Sequence, residues 1–268
     1  MNADDKLSDL KRLLKDMRSV LIAYSGGVDS TFLLKVAFDM LGEKAVAVTA
    51  VSSIHPDYEY EEALEYAKII GARHIIVEAN QIMDDRTFLS NPPNRCYICK
   101  KMIFTGIRKL AEEKGFHFVA DGSNADDTGD YRPGMKALIE LDIRSPLKEA
   151  GLGKQEIRKL SKEMGLPTWD KPALACLATR IPYGEEITPE KLYRIGEAEK
   201  ALRKLGLKQV RVRDHGTIAR IEVLPEERAL FADDELTALL IVKLKTLGYK
   251  YVSLDLEGYR SGSLNEVL

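Results

Sequence analysis

The hexapeptide Ser25-Gly26-Gly27-Val28-Asp29-Ser30 is the first segment with an evident chemical capacity. It follows a short apolar run and precedes a helical pattern, which predicts a strand, a tight loop and a helix. Its glycines let a phosphate approach the backbone, and the amides at a helix start attract anions. We therefore predict a phosphate-binding loop, although the Gly-Lys-Ser/Thr ending of a Walker loop is absent. The candidate ligands are Ser25, Gly26, Gly27, Asp29 and Ser30.

A second polar loop, Asp121-Gly122-Ser123-Asn124-Ala125-Asp126-Asp127, follows a later apolar run. Taken alone, it is better explained as a solvated turn, because Asp, Asn and Gly favour turns. However, ligands of open α/β sheets bind at the carboxyl ends of the strands. We therefore expect this loop to lie beside the phosphate loop and to share its ligand.

The three cysteines are Cys96, Cys99 and Cys176. Cys96 and Cys99 are three positions apart at the start of a helical pattern, so their sulfurs share one face. An odd count argues against a secreted disulfide framework. Three thiolates fit a [4Fe–4S] cluster with one open iron, since an ordinary electron-transfer cluster takes four cysteines. The alternatives are a zinc site, for which no histidine has clear ligand spacing, and plain buried cysteines.

Arginines provide a third candidate group. Arg211 and Arg213 alternate with valines, which predicts that both point to one face of a strand. Two guanidiniums on one face can clamp a phosphate, although a solvated strand face is the simpler interpretation. Arg180 is a further candidate for the same clamp.

The elements that position these residues alternate between helix and strand. The pattern predicts helices over 4–17, 31–41, 58–70, 96–114 and 153–164, and strands over 20–24, 45–51, 74–77 and 116–120. Repeated units of this kind predict an α/β fold, with a parallel sheet covered by helices on both faces. The charged runs 59–65 and 154–162 are interpreted as solvated helix faces, and Trp169 as a packing residue.

The alternating helix and strand pattern ends after residue 166. Residues 167–190 are rich in proline and irregular. Beyond them the pattern predicts a helix over 190–205, strands over 208–213 and 217–224, a helix over 226–247 and a strand over 250–256. We predict a sheet domain at 1–166, a linker carrying Cys176 at 167–190, and a smaller α+β domain at 191–268 for substrate binding or oligomerisation.

The composition is that of an ordinary globular protein. Of 268 residues, 45% are hydrophobic and 31% charged, and the formal net charge is −2. No apolar run approaches the roughly 20 residues that span a bilayer, and the polar N-terminus lacks a signal-peptide core. We expect a cytoplasmic protein without a membrane or nucleic-acid partner, and a homo-oligomer is compatible with the composition.

The hexapeptide at 25–30 resembles the signature of the PP-loop ATP pyrophosphatases. The resemblance implies cleavage of ATP between its α and β phosphates and transfer of AMP to a substrate oxygen. It implies that the nucleotide contacts the residues of the first loop together with Gly122 and Asp126. Mg²⁺ is then expected at Asp29 and Asp127, where it would neutralise the departing pyrophosphate. The alternative for Asp29 is a carboxylate that orders the loop.

Four segments together resemble the LarE family of sulfur transferases: 25–30, 121–127, 171–184 and 211–216. The resemblance implies adenylation of the carboxylates of a pyridinium biscarboxylic acid mononucleotide and their conversion to thiocarboxylates for a nickel-pincer cofactor. It also implies that Arg180, Arg211 and Arg213 bind the phosphate of that nucleotide.

The family resemblance leaves two routes for the sulfur. In single-cysteine members, the residue matching Cys176 gives up its own sulfur and becomes dehydroalanine. This chain adds Cys96 and Cys99 and resembles a three-cysteine subgroup, for which a cluster is expected to carry sulfide from free sulfide or a delivery protein. A tRNA thiolase is a further alternative, but it needs an extended basic surface or an RNA-binding module.

Overall fold

The computed structural model describes residues 2–128, 133–173, 175–260 and 262–267. Its strands are β1 (Val20–Ala23), β2 (Ala45–Val51), β3 (Arg73–Glu78), β4 (Phe118–Ala120), β5 (Val210–His215), β6 (Ile218–Val223) and β7 (Tyr251–Leu254). Its α-helices are α1 (Ala3–Met17), α2 (Val28–Leu41), α3 (Asp57–Ile70), α4 (Arg86–Leu89), α5 (Arg95–Glu113), α6 (Gly134–Glu140), α7 (Pro146–Glu149), α8 (Lys154–Glu163), α9 (Pro189–Lys204) and α10 (Asp234–Thr246). Short 3₁₀ helices include Ala125–Thr128, Leu177–Arg180 and Pro225–Ala232.

The chain forms two compact units. The first comprises Met1–Ser52, Asp57–Ile82 and Asn94–Leu174, and the second comprises Ser53–Pro56, Met83–Pro93 and Ala175–Leu268. The division into 1–166, 167–190 and 191–268 stays a prediction. Within the described residues, no helix combines the length and the apolar character needed to cross a membrane.

The first unit is built on a parallel sheet, as predicted. The strand order is β3-β2-β1-β4, and β1 lies between β2 and β4. Side chains of β1 alternate between two cores: Val20 and Ile22 pack with α1, α2 and α8, whereas Leu21 packs with α5 and α6. A central strand that buries both faces must be apolar throughout, which explains the continuous apolar run at 20–23. The predicted α/β class and the helices on both faces are confirmed.

The second unit contains the sheet β5-β6-β7. β5 and β6 are antiparallel, and β6 and β7 are parallel. Apolar residues of α9 and α10, such as Leu202 and Leu244, pack on Val212 and Ile221 of this sheet. The predicted helix over 226–247 was wrong in its first part, which is the 3₁₀ helix Pro225–Ala232. The α-helix starts anew because the Asp233 carboxylate accepts a hydrogen bond from the Leu236 amide at 3.0 Å, a typical N-cap.

Candidate active site

The loop between β1 and α2 has the conformation that the glycines predict. Gly26 has a φ of +68°, which side chains of L-residues rarely adopt. A Cβ placed on Gly26 would lie 3.0 Å from both Cα and Cβ of Ala63 in α3. Glycine is therefore required here by backbone conformation and by the close approach of α3.

The two serines order this loop from within. The hydroxyls of Ser25 and Ser30 are 3.2 Å apart, and the Ser30 hydroxyl donates to the Gly27 carbonyl at 3.2 Å. α2 begins at Val28, three residues earlier than predicted, and Gly27 caps it without a side-chain hydrogen bond. The first-turn amides of α2 therefore face a position where a phosphate can accept from them, and the helix dipole favours the negative charge.

Asp29 lies on the first turn of α2 and is mostly buried. Its Oδ2 is 2.5 Å from the Lys154 ammonium, and its Oδ1 is buried without a hydrogen-bond partner in the described residues. Burial raises the pKa of Asp29, Lys154 opposes that effect, and Asp127 adds to it. A buried carboxylate oxygen beside a phosphate cradle, with a second acid nearby, is a donor set that fits Mg²⁺.

The second loop lies against the first, as its position after β4 predicts. A Cβ on Gly122 would lie 3.1 Å from the Ser30 amide nitrogen. The Asp121 carboxylate accepts from the hydroxyls of Ser123 at 2.5 Å and Ser145 at 2.6 Å. These two bonds hold the loop at the carboxyl edge of β4.

The two acids at the end of this loop have different surroundings. Asp126 Oδ2 accepts from the backbone amide of Lys154 at 2.7 Å and so caps α8. Asp127 Oδ2 accepts from the Asn124 amide at 2.9 Å. Asp126 therefore has a visible structural role, and its predicted contact with ATP stays a prediction.

Residues of two charged runs reach this site, which the sequence analysis did not foresee. Lys154 contacts Asp29, and Arg158 donates to the carbonyls of Trp169 and Lys171, both at 2.8 Å. Lys171 is 2.5 Å from Glu62 of α3. The interpretation of 59–65 and 154–162 as wholly solvated faces was therefore wrong at these positions. Each of these lysines and arginines pairs with a residue distant in sequence. Helical periodicity therefore cannot predict these contacts.

The cysteines belong to different compact units. Cys96 and Cys99 lie at the start of α5 in the first unit, and both are partly exposed. Cys176 belongs to the second unit and precedes the 3₁₀ helix Leu177–Arg180. Among the described residues, no group of three or more His, Cys, Asp or Glu side chains is gathered as a metal site. Two thiols on one helical turn supply two ligand positions, and a cluster shared with Cys176 stays a prediction.

The backbone of Cys176 is held firmly. Its carbonyl accepts from the Thr179 amide at 3.0 Å, the Thr179 hydroxyl at 2.8 Å and the Arg180 guanidinium at 3.1 Å. The amide of Leu177 donates to the Ile54 carbonyl at 2.8 Å. The partly exposed thiol therefore extends from a fixed backbone.

The three candidate arginines are buried and lie in one unit. Arg180 forms two hydrogen bonds with Glu199, at 2.8 and 3.0 Å. Arg213 pairs with Glu222 at 2.9 and 2.8 Å and donates to the Thr179 carbonyl at 2.8 Å. Burial acts to raise the pKa of Glu199, but Arg180 and Arg211 outweigh it, so the pKa lies below its usual value. These arginines are thus part of an internal ionic network and not of a solvated strand face.

Comparison with known proteins finds relatives that match almost the whole chain. It is 40% identical over 267 residues to pyridinium-3,5-bisthiocarboxylic acid mononucleotide synthase of Lactiplantibacillus plantarum, covering 98% of this chain and 95% of that protein. It is 49% identical over 266 residues to an uncharacterised protein of Synechocystis sp., covering 99% and 98% of the two chains.

Similarity to other nucleotide-activating enzymes is limited to part of the chain. Over 158 residues the chain is 28% identical to argininosuccinate synthase of Haloarcula marismortui, covering 56% of this chain and 38% of that protein. No model of a protein family matches the chain. The similarity to the synthase over its whole length, on a PP-loop fold, shows that this chain belongs to the LarE family.

Proposed function

We propose that this protein uses ATP to adenylate carboxylates of pyridinium-3,5-biscarboxylic acid mononucleotide and converts them to thiocarboxylates. The observation that carries the proposal is the open phosphate cradle at α2 in a chain related to the named synthase over its whole length. Oxide is a very poor leaving group from a carboxylate, whereas AMP is a good one. Activation by ATP is therefore the step that this cradle serves.

The first step forms an acyl adenylate. A carboxylate oxygen of the substrate attacks the α-phosphorus of ATP, the bond from that phosphorus to the bridging oxygen breaks, and pyrophosphate leaves. The amides of Gly27 and the first turn of α2, with the hydroxyls of Ser25 and Ser30, would hold the leaving pyrophosphate. Asp29 and Asp127 would hold Mg²⁺, which supplies neutralisation of the phosphate charge. Gly122 and Asp126 would flank the nucleotide.

The second step replaces oxygen by sulfur. A sulfur nucleophile attacks the acyl carbon, the bond from that carbon to the AMP oxygen breaks, and AMP leaves. Cys176 is the proposed catalytic cysteine, and Arg180, Arg211 and Arg213 are the proposed group for the substrate phosphate. In that role the arginines would exchange some of their internal contacts for the ligand.

The source of the sulfur distinguishes two versions of the proposal. In the first, Cys96, Cys99 and Cys176 would ligate a [4Fe–4S] cluster, which would supply a sulfide nucleophile when bound. In the second, the Cys176 sulfur forms a thioester with the acyl carbon as AMP leaves; loss of the Cα proton and cleavage of the Cβ–S bond then release the thiocarboxylate and leave dehydroalanine at position 176. The presence of Cys96 and Cys99 at one helix start supports the first version.

A single-turnover assay tests the proposed function. Anaerobically purified protein is mixed with Mg²⁺, ATP and the pyridinium dicarboxylate nucleotide, with sulfide as the sulfur source. We expect pyrophosphate, AMP and a thiocarboxylate product, detected by mass spectrometry. Pyrophosphate release that requires tRNA, or none with the dicarboxylate nucleotide, would contradict the proposal.

A further inference from the structure

Lys171 is a nearly buried lysine beside the phosphate loop. Its side chain is 10% exposed, and its ammonium donates to the Gly26 carbonyl at 3.0 Å. The same ammonium is 2.5 Å from a carboxylate oxygen of Glu62 and 5.2 Å from the ring centre of Tyr66. A solvated surface lysine is not held by three such partners. This arrangement therefore indicates a defined role for the Lys171 ammonium.

The backbone around Lys171 is fixed independently of its side chain. Arg158 of α8 donates to the carbonyls of Trp169 and Lys171, both at 2.8 Å. The Lys171 amide donates to the Thr168 carbonyl at 3.0 Å. The Lys171 ammonium therefore reaches the loop from a segment whose backbone is held by hydrogen bonds.

Helix α3 supports the same point of the loop from two directions. Ala63 abuts Gly26 directly, so only glycine fits there. Glu62 and Tyr66 are one helical turn apart and hold the Lys171 ammonium. The conformation of Gly26 is thus determined by α3 on one side and by Lys171 through its carbonyl.

The direction of one carbonyl decides the direction of the next amide. No cis peptide bond occurs in the described residues, and in a planar trans peptide the C=O and N–H groups point in opposite directions. Because the Gly26 oxygen points to Lys171, the Gly27 N–H must point away from it. That amide donates a long hydrogen bond of 3.4 Å to the Ser25 hydroxyl, which is itself one of the candidate phosphate ligands.

We infer that Lys171 is a positioning residue: it holds the Gly26 carbonyl so that the Gly27 amide faces the β and γ phosphates of ATP. This inference rests on the proposed function, which assigns the cradle to the leaving pyrophosphate. The ammonium also withdraws electron density from the Gly26 carbonyl, which makes the Gly27 N–H a stronger donor. Lys171 therefore acts on the phosphates through the peptide and does not need to touch them.

Binding measurements on the full-length chain test the inference. Lys171→Met removes the charge, Lys171→Arg retains it, and Lys159→Met is the matched control, because Lys159 is an exposed lysine of α8. Calorimetry compares Mg–pyrophosphate, Mg–ATP and AMP as ligands. Loss of a charge-assisted contact predicts about tenfold weaker pyrophosphate and ATP binding in K171M. AMP binding should change less than about twofold, while K171R retains most of the affinity and K159M behaves like the wild type.

Nuclear magnetic resonance tests whether the Lys171 ammonium acts on the Gly26–Gly27 peptide, and the comparison of pyrophosphate with AMP separates positioning from a general structural effect. In ligand-free protein, K171M should shift the carbonyl ¹³C resonance of Gly26 and the amide ¹⁵N resonance of Gly27, and K159M should not. Equal losses for AMP and pyrophosphate, or unchanged Gly26 and Gly27 resonances, would overturn the inference. If K171M does not fold, Lys171→Gln carries the same comparison. A wild-type protein that binds pyrophosphate and yet releases none from ATP with the dicarboxylate substrate would contradict the proposed function but not the inference on Lys171.

Discussion

The Lys154 ammonium lies 2.5 Å from Oδ2 of Asp29 and joins the first residue of α8 to the first turn of α2. The backbone amide of the same lysine donates to Asp126 at 2.7 Å. One residue thus connects the phosphate loop, the loop after β4 and the start of α8. The other oxygen of Asp29 is buried without a hydrogen-bond partner in the described residues, and it is the atom proposed to bind Mg²⁺.

Lys154→Met should shift the acidic limit of activity to higher pH. Burial raises the pKa of Asp29, and Lys154 is the strongest group that lowers it. Without the ammonium the folded-state pKa rises further, so Asp29 is protonated at a higher pH and loses its capacity to bind Mg²⁺. A pH profile of pyrophosphate release measures this shift. Asp29→Asn should lower pyrophosphate release at every pH, and an unchanged profile in K154M would show that Asp29 does not titrate in the reaction.

Gly26→Ala should destabilise the protein and weaken ATP binding. The φ of +68° costs an L-residue about 1–2 kcal/mol, and the added Cβ would approach Ala63 to 3.0 Å. Gly115→Ala is the matched control, because its φ is +72° but no atom lies within 4 Å of its added Cβ. Denaturant unfolding should show a larger decrease in the free energy of unfolding for G26A than for G115A. Equal decreases would mean that the approach of α3 contributes nothing to this cost.

His74 should make the protein less stable in mild acid. Burial lowers the pKa of His74 to about 4, and its Nε2 is 2.7 Å from the Thr49 hydroxyl. The unfolded chain binds a proton near pH 6.5 but the folded chain only near pH 4, so this contribution is intact above 6.5 and is lost as the pH falls toward 4. Unfolding free energies across this range should fall less steeply in His74→Gln. Parallel curves would exclude the histidine as the cause.

Arg180→Met should be strongly destabilising, because it strands a buried carboxylate. Breaking a buried ion pair costs about 3–5 kcal/mol, and both side chains of the Arg180–Glu199 pair are 1% exposed. Adding Glu199→Gln to R180M should recover part of that loss. Arg12→Met, which breaks an exposed pair with Asp9, is the control and should cost less than about 1 kcal/mol.

The same variant should loosen the segment of Cys176. Arg180 donates to the Cys176 carbonyl at 3.1 Å and to the Ala175 carbonyl at 2.8 Å. We therefore expect faster alkylation of the Cys176 thiol in R180M than in R12M under native conditions. An unchanged alkylation rate would show that the other hydrogen bonds suffice to hold the segment.

The cysteines predict a distinct pattern of iron loss. Reconstituted wild-type protein should bind about four irons per chain, and Cys96→Ala, Cys99→Ala and Cys176→Ala should each lose the visible absorption of the cluster. C176A should still release pyrophosphate, because adenylation precedes sulfur transfer. Mass spectrometry after turnover should find Cys176 intact. Dehydroalanine at position 176, in protein without iron, would favour sacrifice of the cysteine sulfur.

The sequence by itself determined the local features of the site. Gly26 and Gly27 after an apolar run define the phosphate loop, because its geometry is set within a few residues. The two central strands of the parallel sheet, β1 and β2, were predicted from continuous apolar runs, because they are covered on both faces. The spacing of Cys96 and Cys99 likewise defines a shared helical face at any tertiary arrangement.

Only the tertiary structure decided which charged residues serve the loop. Lys154 and Asp29 are 125 positions apart, and Lys171 and Gly26 are 145 apart. Such pairs depend on how α3 and α8 pack beside α2, and a periodic pattern of charge shows only that a helix is amphipathic. The burial of Arg213 against Glu222 likewise depends on the tertiary structure. Strand alternation predicts the direction of the side chain, but the packing around the sheet decides whether that face is exposed to solvent or buried.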